Sequence, residues 1–132
     1  MTGPKLRRRA SLIVLISALV LTSACSKPPP YVFVTANTEV ETGHDVVVEV
    51  RLWNTAADAY VNDAMITAVS LTMAPDGMND ITSDVTPQPS TEVGAFRFSA
   101  TFRAAGRWEL ALAARIPGER NTVMGSVVIR AK

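Results

Sequence analysis

At 132 residues, 48% of them hydrophobic, the chain has the length and composition of one globular domain. Its 13 Lys and Arg against 12 Asp and Glu exclude the strongly basic surface that nucleic-acid binding requires. Its single cysteine, Cys25, excludes an internal disulfide.

The N-terminus reads as an address. Lys5, Arg7, Arg8 and Arg9 precede an uncharged apolar run over residues 10–21, and the small residues Thr22, Ser23 and Ala24 follow. This order predicts a secretory signal helix over residues 1–24. The run is too short for a membrane-spanning helix, which needs roughly 20 apolar residues. Leu21-Thr22-Ser23-Ala24-Cys25 resembles the bacterial lipobox, with Thr22 where Leu is commonest. The resemblance implies diacylglyceryl transfer to the Cys25 sulfur, cleavage before Cys25, and acylation of the new amine. Several acyl chains on one residue anchor stably where one alone binds marginally. The product is a protein held in membrane lipid at the cell envelope. Ser26 rather than Asp follows the cysteine; by resemblance to Gram-negative lipoproteins, this favours the periplasmic side of the outer membrane. Cleavage removes four cations, leaving nine basic residues against twelve acidic in the 108 residues from 25 to 132.

Residues 25–30 form a tether in which Pro28, Pro29 and Pro30 favour extended polyproline geometry. The domain is residues 31–132. A first strand is expected over residues 31–37, which are rich in β-branched and aromatic types. Glu41, Thr42, Gly43 and His44 read as a turn. Residues 45–54 form a second strand, with Val46, Val48, Val50 and Leu52 inward and Val47, Glu49, Arg51 and Trp53 outward. A polar loop covers 55–63 and a third strand 65–73. Residues 74–93 read as a long loop with a short strand near 84–86. The densest stretch is residues 94–114. Phe96, Phe98, Ala100 and Phe102 alternate with Arg97, Ser99, Thr101 and Arg103, and after a turn at 104–106 Trp108, Leu110 and Leu112 alternate with Glu109, Ala111 and Ala113. A last strand covers 121–130. Six to seven short strands with no amphipathic helix after the signal predict an all-β fold, an immunoglobulin-like β-sandwich.

The charge is uneven. No Lys or Arg occurs between Asn54 and Phe96, where Asp58, Asp63, Asp76, Asp80, Asp84 and Glu92 lie. These carboxylates either pair with the basic residues from Arg97 onward or are simply solvated, or they form an acidic loop that attracts cations. Catalytic signatures are scarce: one His, no phosphate-binding glycine loop and no metalloprotease pattern. The chain reads as a non-enzyme. His44, Met73 and Met78 are the candidate metal ligands, since thioethers and imidazole suit copper. Strand alternation puts all three at the end away from the tether. The alternative is that Met73 plugs the core edge while Met78 and His44 are solvated. Trp53 points away from the core face; it is either an exposed interface residue or is covered by a neighbouring strand or loop.

Beyond single residues, the domain resembles the YtkA-like and FixH-like envelope domains. The matching features are Gly43, Val46 and Val48; Asp63, Ala64 and Ile66; Met73, Ala74, Pro75 and Met78; Gly94 and Phe96; and Gly106-Arg107-Trp108-Glu109-Leu110. The resemblance implies a non-catalytic accessory domain linked to copper or heavy-metal handling, or to an envelope protein complex such as an efflux or oxidase assembly. This chain has fewer Met and His in the long loop than many such domains. A purely structural protein-interaction module without metal is the alternative.

Overall fold

A computed structural model describes Gly3 and residues 29–132. Cys25 and the expected signal segment lie outside the described residues. The elements are β1 (Tyr31–Thr35), β2 (Glu39–Val40), β3 (Gly43–Asn54), β4 (Ala59–Tyr60), β5 (Met65–Met73), a 3-10 turn (Ala74–Asp76), β6 (Met78–Ser83), β7 (Val85–Gln88), β8 (Ala95–Phe102), β9 (Gly106–Arg115) and β10 (Val123–Ala131). They form two sheets. The first has the order β1-β3-β8-β7, with β4 paired to β3; the second has the order β2-β10-β9-β5-β6. This is the β-sandwich of immunoglobulin-like type that the strand pattern predicts.

Alternation explains the layering. In β3, Val48, Val50 and Leu52 are buried, and in β9 Trp108, Leu110, Leu112 and Ala114 are buried, while the residues between them are more exposed. Burial of such side chains contributes about 1.5–3 kcal/mol each. The core lies between these faces, and Phe33, Phe98 and Phe102 from the first sheet meet Leu71 and Ile129 from the second. At one side the sheets approach closely: a Cβ on Gly125 of β10 would lie 2.8 Å from the Phe33 ring. Only glycine lets the β1 aromatic settle there.

Two expectations change, and the densest stretch spans both sheets. β8 pairs with β3 and β7, whereas β9 pairs with β5 and β10, so the turn carries the chain across the core from one sheet to the other. Gly43 and His44 belong to β3 rather than to a turn. The long loop is largely strand. β6 pairs with the end of β5 in the second sheet, and β7 pairs with β8 in the first. The crossing occurs at Asp84, whose carbonyl accepts from the Thr101 N–H at 3.0 Å. Pro87 is tolerated because β7 is an edge strand. The short strand expected near 84–86 overlaps β7, which runs on to Gln88, whereas the Met-Asn-Asp segment alternates too weakly to read as a strand without its partner.

The sandwich has two distinct ends. Tyr31 pairs with Asn54, so the join to Pro29 and Pro30 lies at the end where β3 finishes. Gly43 pairs with Phe102, so the start of β3 and the β8–β9 turn lie at the far end.

Candidate functional site

The far end brings together the two candidate sulfur ligands. Met73 closes β5 and Met78 opens β6, and the two are register partners across a bulge. The bulge follows from the 3-10 turn, where Pro75 occupies an early helical position and Gly77 takes a left-handed conformation (φ 77°). Met73 is buried at the core edge, 2% exposed, while Met78 is 37% exposed. His44 sits at the same end but at the start of β3 in the facing sheet, exposed to solvent. The structure therefore brings Met73 and Met78 together and leaves His44 on the other layer. Among the described residues, no cluster of three His, Cys, Asp or Glu has metal-binding geometry.

The acidic stretch divides. Asp76 is locked to Arg107: its carboxylate accepts the Arg107 backbone N–H at 2.8 Å and the guanidinium Nε–H at 2.8 Å. The same guanidinium donates to the Pro75 carbonyl at 2.7 Å. Glu92 pairs with Arg51. Asp76 thus follows the expected pairing with the basic C-terminal half, whereas Glu92 finds its partner in β3. Asp58, Asp63, Asp80 and Asp84 are exposed.

The Arg107 backbone N–H, then its guanidinium, hold the Asp76 carboxyl below the usual carboxylate range. A depressed folded value contributes stability that is present above the unfolded value of about 4 and is lost as pH falls through the folded value. Asp76→Asn should therefore melt below the wild type at neutral pH. The gap should narrow as the pH falls below about 4, in thermal scans followed by circular dichroism.

A second cluster lies on the outer face of the first sheet, near the Pro30 end. Val32, Trp53 and Tyr60 form one row across β1, β3 and β4. Trp53 and Tyr60 meet edge to face, with centroids 5.0 Å apart and planes at 80°. The Arg51 guanidinium stands over the Tyr60 ring at 5.3 Å and also pairs with Glu49 at 3.6 Å. Trp53 is thus half-covered by a neighbouring strand, and Tyr60, 45% exposed, is the ring that faces solvent. Sequence reasoning missed Tyr60, which lies in a stretch read as polar loop. The signal available was the Ala59-Tyr60-Val61 run just after the turn that follows Trp53, in which Val61 is a core residue.

This layered geometry agrees with a family match. A family model described as YtkA-like matches residues 28–113, more than half of the chain and nearly all of the span from β1 to β9. The chain belongs to the YtkA-like family. The matched span of this YtkA-like domain contains Met73, Met78, Trp53, Tyr60 and the Asp76–Arg107 pair, while β10 lies beyond it. No curated protein matches the chain. Among solved structures, it is similar to one titled "Crystal structure of the Lin-41 filamin domain", at 19% identity and a TM-score of 0.45 over 78% of this chain and 92% of that one.

Proposed function

We propose that the chain is a cell-envelope lipoprotein, anchored through acylated Cys25, whose YtkA-like domain is a non-catalytic accessory module for a membrane protein complex. The observation that carries the binding role is the Val32–Trp53–Tyr60 row with Arg51 beside it. Trp, Tyr and Arg dominate the energetics of protein interfaces. Here they stand on rigid strands, so little side-chain ordering opposes binding.

The test is a photo-crosslinking residue in place of Tyr60, in membranes of the source cell. A discrete envelope-protein adduct is expected, weakened several-fold by Arg51→Ala. An identical adduct yield from the same residue placed at Met78, at the far end, would remove the role of this face. Cys25→Ala should move the protein out of the membrane fraction or leave an uncleaved precursor, as read by fractionation and by mass spectrometry of the N-terminal peptide.

A second reading, copper handling, draws on the Met73–Met78 register pair. Two neutral thioethers, with His44 as a third donor reached only by movement between layers, suit a modest Cu(I) site rather than a storage site. Met78→Leu nearly conserves volume at a half-exposed position. It should abolish competition with a chromophoric Cu(I) chelator while leaving the melting temperature unchanged. Equal competition by the variant would eliminate these sulfurs as ligands.

A further inference from the structure

Among the described residues, the three most exposed large apolar side chains are Met65 (69%), Val93 (76%) and Met124 (80%). The other exposed large apolar residues are all less than half exposed. Met65 opens β5, Val93 leads into β8, and Met124 is the second residue of β10. The strand directions put all three at the end where β3 finishes, the end at which Pro29 and Pro30 join the domain. Two shallow hollows extend the apolar surface there. One runs from Pro29 and Pro30 to Met124, and the other from Met65 to Ile116 and Pro117. Glu119 lines both, so they adjoin.

The join itself is pinned. The Thr55 N–H donates to the Pro30 carbonyl at 3.0 Å, and the Thr55 hydroxyl lies within 2.8 Å of the Pro29 and Pro30 carbonyls. The Tyr31 hydroxyl donates to Glu119 at 3.0 Å. The chain therefore leaves the domain at a set point and in a set direction.

We propose that this end of the sandwich rests on the lipid bilayer, with Met65, Val93 and Met124 entering the boundary between headgroups and acyl chains. The proposal rests on the Cys25 anchor proposed above. Pro29 follows Cys25 by four residues, which reach at most about 14 Å when fully extended. With the join pinned, the apolar end is the part of the domain held against the membrane. Side chains that would be a solubility liability on a free domain are covered there by lipid, as on other interfacial anchors. The rim carries both signs, Arg115 and Arg120 against Asp63 and Glu119, so the contact is apolar rather than electrostatic. It does not weaken with salt as an attraction between exposed charges does.

The test uses the full acylated protein in phosphatidylcholine vesicles. Cys25 is the chain's only cysteine, so acylation leaves no free thiol, and a single introduced cysteine takes one fluorophore. Thr122→Cys places the probe beside the apolar end. Glu41→Cys places it at the far end, about 33 Å away along β3. Quenching by lipids carrying a nitroxide near the headgroup should be several-fold stronger at 122 than at 41, and unchanged by added salt. The triple change Met65→Ser, Val93→Ser and Met124→Ser should bring the quenching at 122 down toward the level at 41, with the melting temperature unchanged. One reactive thiol with equal quenching at the two positions, or quenching that survives the triple change, overturns the docking alone. Two reactive thiols per chain mean that Cys25 is free, which overturns the anchor and the docking with it.

Discussion

Trp108→Ala should leave the domain close to unfolded. Trp108 is 0% exposed, meets Phe102 edge to face with centroids 6.0 Å apart, and donates its indole N–H to the Ala104 carbonyl at 3.0 Å. It thus closes the turn that carries the chain from β8 in one sheet to β9 in the other. Truncating a buried Trp costs about 3–5 kcal/mol, against roughly 5–15 kcal/mol holding a typical domain. Trp108→Phe keeps most of the volume and loses the hydrogen bond, so a loss of about 1–2 kcal/mol is expected. Urea midpoints at constant slope would measure both. A midpoint for Trp108→Ala equal to the wild type would remove Trp108 from the core.

Gly106→Ala should be the next most damaging change, at a position where only one carbon is added. Gly106 has φ 141°, a region that side-chain-bearing residues adopt at a cost of about 1–3 kcal/mol. A Cβ there would also lie 2.5 Å from the Met73 methyl and 2.7 Å from an Asp76 carboxylate oxygen. The thioether end can swing aside. The carboxylate moves only by loosening its bonds from Arg107. The variant should therefore lose stability, and its Asp76 carboxyl should titrate closer to the ordinary carboxylate value, as read by NMR. A stability loss with the Asp76 titration unmoved would place the whole effect on the backbone and on Met73.

The phases of the strongest strands were legible because each carries its own period. Val48, Val50 and Leu52, and Trp108, Leu110 and Leu112, are large apolar residues at every second position, and a residue's face within a strand is a local property. The bounds of β5 were legible for the same reason. β7 was legible only in its first residues, and β6 and the two-residue strands β2 and β4 were not. They are edge or capping pieces whose hydrogen bonds come from β5, β8, β10 and β3, and their composition is that of loops. The candidate site was half legible. The Met73-Ala74-Pro75 and Met78 spacing pointed to sulfurs at one end, and the outward phase of Trp53 was evident. That Asp76 is held by Arg107 was not, because the two lie 31 residues apart in different elements.

By itself, the amino-acid sequence determined that this is an all-β chain with a dense Phe–Trp core and with two methionines, Met73 and Met78, flanking one turn. These follow from composition, period and short motifs, which neighbours along the chain suffice to specify. Only the tertiary structure decided which strands pair. It separated the β8–β9 stretch into two sheets, because two apolar faces in sequence are better buried against each other across a core than side by side in one sheet. It set Tyr60 against Trp53 and Arg51, neutralised Asp76, and brought Met65, Val93 and Met124 to the end where the chain joins. Each of these depends on register between strands far apart in the chain, and register is set by the packing of the whole sandwich rather than by any one segment.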